Sequence, residues 1–337
     1  MIGEPSRRAR RRPGAAISLF LLKRFATFVA TLLVASGIVF TVLDVLPGNV
    51  ADVMLGESAT PEARQALVEK LGLDRPALER YGHWLQGMAH GDLGISASYD
   101  TPVTQLIAER LAVTGPLAVL AMLLTSVIAL ALGIFAASRH NGPGDVGVMA
   151  VSQFGIAVPN FWFAILLILV FSVQLQWFAA GGFPGWSADD GGGFWPALKA
   201  LILPAVALAA VQAAILARIT RSAVLDVLRE DFVRTARAKG LSRRAVLWQH
   251  VLRNAFVPVL TVMGMQFADL LTATVVVENV FSLPGLGTLL VNSVFQRDYP
   301  VVQGLTLLFA VLIVAINLLT DIVQAALDPR VGQEIGT

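Results

Sequence analysis

The chain has 337 residues, of which 56% are hydrophobic and 14% are charged, and its formal net charge at pH 7 is +2. Soluble domains carry about 25% charged residues, so this composition excludes an ordinary soluble protein and indicates an integral membrane protein. The absence of cysteine excludes disulfides and thiol chemistry.

Long apolar runs predict an all-α fold with six transmembrane helices. Each run has about 20 residues or more, the length that crosses a bilayer. The runs are residues 25–46, 113–137, 147–175, 197–218, 255–278 and 303–325. They divide the chain into a basic N-terminus (1–24), a first transmembrane helix (25–46), an insertion (47–112), a five-helix core (113–327) containing a polar loop (219–254), and a tail (328–337).

The distribution of positive charge predicts the orientation of these helices. Of the 25 lysine and arginine residues, 18 lie at the chain ends, at Arg139 or in the polar loop, and seven lie on the other side of the membrane. The positive-inside rule therefore places both termini and the polar loop in the cytoplasm and the insertion outside. The arginines of residues 1–13 fit an orientation signal that also contacts anionic lipid headgroups.

The insertion is too polar to lie in the membrane and too long for a simple connection, so it should form a small helical element. Residues 61–72 read as one helix, with Thr60 as its N-cap and Pro61 at its first position. Residues 75–90 read as a second helix. An amphipathic helix after Thr101-Pro102 then returns the chain to the membrane.

The polar loop has the pattern of two short helices joined by a turn. Residues 231–238 lack internal glycine and proline, Gly240 can take the left-handed conformation that closes a helix, and Ser242 can cap a second helix through Arg243, Val246 and His250. Charge bias alone explains the nine basic residues from Arg218 to Arg253 as those of any cytoplasmic loop. It does not explain the Gly-Leu-Ser break, which favours a surface that another protein recognises.

The sequence of this loop, DFVRTARAKGLSRRAVLWQHVLRNAFVPVL, resembles the cytoplasmic loop of binding-protein-dependent ABC importer permeases, in the branch that carries dipeptides, oligopeptides and nickel. Matching segments elsewhere are LGLDRPALERYGHWL, GDLGIS, ENVFSLPGLGTLLVNSVFQRDYPVVQG and NLLTDIVQAALDPR. Two positions depart from the family. Arg234 replaces the leading acid of the loop signature, and Asn49 stands where aspartate is common.

This resemblance implies a subunit that works only in a complex. Its partners would be a homologous second permease, two cytoplasmic ATPase subunits that bind ATP and Mg²⁺, and an extracytoplasmic substrate-binding protein. The chain itself would bind no cofactor and no metal and would have no catalytic residue, since it lacks the phosphate-binding, metalloprotease and nucleophile-elbow motifs. Nothing indicates nucleic acid. The ATPase-coupling residues implied are Arg234, Thr235, Ala236, Arg237, Ala238, Lys239, Gly240, Leu241 and Ser242.

Polar residues within the spans are candidates for the translocation pathway, because polar groups in a membrane are costly. These candidates are Gln266, Asp269, Asn160 and Gln212. Asp269 lies midway along its run, with Gln266 three residues earlier on the same helical face. Hydrogen bonding between neighbouring helices explains these residues equally well. Asp44 and Asp321 lie nearer the interfaces, where solvation or pairing is expected.

Two other classes of function stay open on the sequence alone. A self-contained, ion-coupled secondary transporter usually has two repeated halves with matching broken helices, and no such repeat is visible. A purely structural subunit would leave the polar residues of the fifth run unexplained. The sequence does not distinguish dipeptide, oligopeptide, glutathione and nickel permeases, because selection is largely made by the binding protein.

Overall fold

The computed structural model describes residues 13–45, 55, 60–70, 74–189 and 191–327. These residues are mostly helical, and the one β feature among them is an isolated antiparallel bridge between Ile95 and Pro102. The basic residues 1–12, the Asn49 departure and the tail 328–337 lie outside the described residues.

The described helices follow in chain order. They are α1 (Pro13–Val45), α2 (Pro61–Lys70), α3 (Ala77–Ala89), α4 (Val103–Ser138), α5 (Pro143–Ala157), α6 (Asn160–Leu167), α7 (Phe194–Leu228), α8 (Asp231–Ala238), α9 (Arg243–Val246), α10 (Leu252–Val280), α11 (Leu286–Phe295) and α12 (Tyr299–Leu327). A π-helix continues α6 over Ile168–Gln174, and a second one, Leu247–Val251, joins α9 to α10.

The all-α membrane fold is confirmed. Five described helical segments are long and apolar enough to cross a membrane. They are Leu22–Val45, Val103–Ser138, Phe194–Leu228, Arg243–Val280 and Tyr299–Gln324. A sixth span results if α5 and α6 with its π-helix are counted as one.

The predicted third span, residues 147–175, is not one continuous helix, because α5 and α6 meet at an angle of 101°. The bend lies at Val158 and Pro159, which are both extended, with ψ angles of 123° and 138°. Proline disfavours the helical conformation of the residue before it, so Val158 ends α5 and a new helix begins at Asn160.

Helix α4 runs unbroken through residue 112, where the predicted insertion meets the predicted core. Pro116 lies inside α4 and cannot donate a hydrogen bond to the carbonyl of Ala112. The indole Nε1 of Trp186 donates to that carbonyl at 2.7 Å. The bond that proline removes is thus replaced from another part of the chain.

Helices enter the predicted polar loop, residues 219–254, from both sides. Helix α7 continues to Leu228, and Arg243–Val280 is one helical segment through the π-helix. The segment between these two long helices is therefore residues 229–242. Charged residues mark where a helix leaves the membrane, and they do not require the helix to end there.

In the insertion, the predicted helix cap at Thr60 is confirmed. The Oγ1 of Thr60 accepts from the amide of Ala63 at 3.3 Å. Helix α3 attaches the insertion to α1 through polar contacts. The hydroxyls of Tyr81 and Ser36 lie 2.7 Å apart, and Arg80 pairs with Asp44 at 2.6 Å. Asp44 is thus paired, as its interfacial position predicted.

Helix α7 is the centre of the bundle, since 67% of its most apolar stretch is buried, compared with 6% for α1. Two apolar cores surround it. The first, which we call the insertion-end core, contains Leu117, Leu201 and Phe281. The second, the basic-end core, contains Leu216, Val224 and residues of α8.

Close contacts between small residues hold the helices around α7 and α10. A Cβ at Gly133 of α4 would overlap Thr220 of α7, and a Cβ at Gly264 of α10 would overlap the side chain of Thr320 of α12. Such contacts are typical of membrane helices, in which packing rather than hydrophobic exclusion drives association.

Candidate coupling loop and translocation pathway

The turn between α8 and α9 has the geometry that its sequence predicts. The amide of Leu241 donates to the carbonyl of Ala236 at 3.3 Å, and the amide of Gly240 donates to that of Arg237 at 2.9 Å. This pair of bonds is a Schellman motif, which needs a left-handed residue after the helix, and Gly240 has φ +86°. Ser242 then caps α9 by accepting from the amide of Ala245 at 3.2 Å.

The loop presents a polar surface on an apolar base. Of residues 234–242, Ala236 is buried and the other eight are exposed. Val233 and Ala236 pack into the basic-end core beside Val224 and Leu216 of α7. The core thus fixes the position of α8 and leaves Arg234, Arg237 and Lys239 exposed.

A buried ion pair lies beside this loop and was missed by the sequence analysis. Asp145, in the first turn of α5, is 2% exposed and accepts from Arg221 of α7 through both carboxylate oxygens, at 2.5 and 2.7 Å. His140 lies 3.1 Å from the same guanidinium. The 76 residues between the partners explain why no local pattern shows this pair.

Two of the four pathway candidates form a contact between helices. Gln266 of α10 is 4% exposed, Gln212 of α7 is 8% exposed, and the amide nitrogen of Gln266 donates to the backbone carbonyl of Gln212 at 3.1 Å. The side-chain oxygen of Gln266 is buried without a hydrogen-bond partner in the described residues. This contact matches the role of joining neighbouring helices.

The other two candidates do not join this contact. Asp269 is exposed, with no ion pair or hydrogen bond to the described residues, whereas Gln266 is buried. The 60° between positions three residues apart on a helix is enough to separate a packed side chain from an open one. Asn160 is half-buried at the start of α6, and its side-chain oxygen has no partner among the described residues.

A second buried carboxylate, Glu278 at the end of α10, was also missed. Its carboxylate accepts from the hydroxyl of Thr114 at 2.6 Å and from the amides of Gly287 and Thr288 at 2.7 and 3.3 Å. The Thr114 hydroxyl in turn accepts from the amide of Leu286 at 2.8 Å. Glu278 therefore caps the N-terminus of α11 and joins it to α4 and α10.

Asp298, between α11 and α12, fixes the insertion in a similar way. It is fully buried and accepts from the hydroxyl of Ser96 and from the amides of Ala97 and Ser98. At the opposite end of α12, Asp321 pairs with Arg24 of α1 at 2.7 Å, as its interfacial position predicted.

A bundle of membrane-length helices, with a capped helical loop at one end and polar side chains along its spans, defines a multi-pass membrane transport component. Two family models match the chain. "Binding-protein-dependent transport system inner membrane component" matches residues 129–333, and "Binding-prot-dependent transport system membrane comp, N-term" matches residues 17–118. The chain belongs to the family of binding-protein-dependent transport system inner membrane components.

Individual relatives agree with this family. The oligopeptide transport system permease protein AppB of Bacillus subtilis is 39% identical over 94% of this chain and 99% of that protein. The glutathione transport system permease protein GsiC of Escherichia coli is 40% identical over 93% of this chain and 98% of that protein. A solved structure of the MetNI methionine ABC transporter shares the fold, with a TM-score of 0.54 and 16% identity over 66% of this chain and 97% of that one.

Proposed function

We propose that the chain is the permease subunit of an ATP-driven importer of peptides and forms half of the translocation pathway together with a homologous second permease. The observation that carries this proposal is the capped loop at residues 231–245, whose polar surface is open and whose apolar side is fixed in the core. Family membership favours this function over a self-contained, ion-coupled transporter.

The proposed topology has six crossings with both termini and the loop in the cytoplasm. The bent pair α5–α6 supports six, because its two ends contact opposite ends of the bundle. Asp145 at its start pairs with Arg221 near the end of α7, and Gly182 after its end donates to the carbonyl of Phe281, just beyond α10. The arginine-rich loop lies on the side that the positive-inside rule assigns to the cytoplasm.

The exposed residues around Ala236 to Ser242 would dock in a groove of a cytoplasmic ATPase. ATP-driven closure of two ATPases would displace α8, and the spans would move so that a central cavity opens outward and then inward. The chain supplies the docking surface and half of the cavity. ATP and Mg²⁺ would be bound by the ATPases alone.

Asp269 is the residue that we assign to the cavity. An isolated charge facing lipid near the membrane centre costs at least about 2.5–3.5 kcal/mol, whereas contact with water or a polar partner removes most of that cost. Asp269 is exposed and has no partner in the described residues, so we place it against the pathway or against the second permease.

Co-purification and reconstitution test the proposal. The chain should purify with stoichiometric ATPases and a second permease, and proteoliposomes containing the complex should take up peptide only with ATP and the binding protein. Uptake by the chain alone, driven by an ion gradient, would refute the proposal. Peptide binding by the extracytoplasmic partner, measured by calorimetry, tests the substrate class separately.

A further inference from the structure

The Asp145–Arg221 pair fixes the orientation of α5 relative to α7. Bidentate arginine–carboxylate pairs restrict geometry as well as charge, because two parallel hydrogen bonds must be kept. The amide of Asn141 donates a third bond to the same carboxylate at 2.9 Å. The Asp145 side chain is 4% exposed and that of Arg221 is 22% exposed, so the carboxylate is largely shielded from solvent.

The position of Arg221 connects this pair to the coupling loop. Helix α7 ends at Leu228 and α8 begins at Asp231, so two residues separate them. Val233 of α8 and Val224 of α7 also pack in the same core. A displacement of α8 is therefore passed to the end of α7 on which Arg221 lies.

The position of Asp145 connects the pair to the bent helices. Ten residues beyond it, a Cβ at Gly155 would lie 3.2 Å from the Cβ of Ala214, so α5 stays against α7 over its length. After the bend, Ala164 and Leu167 of α6 are buried in the insertion-end core. Movement of α5 thus reaches the other half of the bundle.

We propose that the Asp145–Arg221 pair is the positioning contact through which a displacement of α8 moves the bent pair α5–α6 together with α7. Neither residue contacts substrate or ATPase in this assignment. The inference rests on the proposed function of α8 as the ATPase docking helix. Loss of the pair separates movement of α7 from movement of α5, so that ATP is hydrolysed without a matching opening of the pathway.

The test measures substrate uptake per ATP hydrolysed by the complete complex in proteoliposomes. Arg221→Met removes the pair but leaves a buried unpaired carboxylate, which by itself destabilises proteins. The double variant Asp145→Asn/Arg221→Met removes that charge as well. Arg218→Met is the matched control, because Arg218 lies on the same helix, is exposed and has no ion pair in the described residues.

The double variant should assemble and hydrolyse ATP while uptake per ATP falls about fivefold or more, the lower range of coupling between sites. The Arg218 variant should keep the wild-type ratio. An unchanged ratio in the double variant overturns the inference, as does a parallel loss of uptake and hydrolysis, which indicates a stabilising role alone. If the wild-type complex itself shows no binding-protein-dependent uptake, the proposed function is refuted, and so is this inference.

Discussion

Replacing Gly240 by valine tests the turn that orients the coupling loop. A Cβ at this position meets nothing within 4 Å, so the penalty is conformational rather than steric crowding by neighbours. A residue with a side chain in the left-handed region costs about 1–2 kcal/mol, and β-branched residues are the least tolerant of it. A penalty of that size changes the population of the closed turn by about 5- to 30-fold.

The variant should insert in the membrane at normal levels, because the substitution lies outside the spans. Hydrolysis of ATP should be uncoupled from uptake, as measured in proteoliposomes containing the complete complex. Gly240→Asn should be intermediate, since asparagine tolerates positive φ. Gly147→Val is the control, because a Cβ at Gly147 also meets nothing within 4 Å and its φ is not positive.

Wild-type uptake by Gly240→Val at equal expression would refute the assignment of this loop to ATPase docking. A defect of equal size in Gly147→Val would do the same, because the effect would then not depend on the left-handed turn.

Three further predictions concern the membrane helices. Asp269→Asn should preserve folding but change transport rate or substrate preference, and Asp269→Leu should do more harm. Asp269→Cys in this cysteine-free chain should react with a membrane-impermeant thiol reagent in a nucleotide-dependent way. No labelling in any state, with normal transport by the asparagine variant, contradicts the pathway assignment. Glu278→Gln should lower the melting temperature in detergent, because a side-chain amide cannot accept from the Thr114 hydroxyl and from the backbone amides of Gly287 and Thr288 together. An unsatisfied buried group costs about 1–3 kcal/mol. An unchanged melting temperature contradicts this prediction. Gly264→Ala should destabilise by about 1–3 kcal/mol through overlap with Thr320, and adding Thr320→Gly should restore part of the loss in the same melting assay; no restoration contradicts the assigned contact.

The local features of the coupling loop could be predicted because each depends on a few neighbouring residues. Gly240 closes α8 and Ser242 caps α9 through backbone groups at most five residues away. Thr60 caps α2 for the same reason. Apolar run length likewise predicted the membrane-spanning regions, since it depends on composition within a window.

Features that depend on distant partners could not be predicted in this way. The donors to Glu278 come from Thr114 and from the amides that begin α11, and no local pattern around Glu278 indicates them. The bend before Pro159 had a local signal, but the continuous apolar character of residues 147–175 concealed it. The continuity of α4 through Pro116 depends on an indole 74 residues away.

Helix α10 connects the two ends of the molecule, so a tilt at one end would displace the other. Its 29 residues correspond to about 43 Å at 1.5 Å per residue, so a tilt of about 5° at one end displaces the other by about 4 Å. The π-helix Leu247–Val251 lies at the loop end, where a change of hydrogen-bond register can serve as a pivot. At the far end, a shift of that size would break the hydrogen bonds of Glu278 unless α11 and α4 moved together with α10.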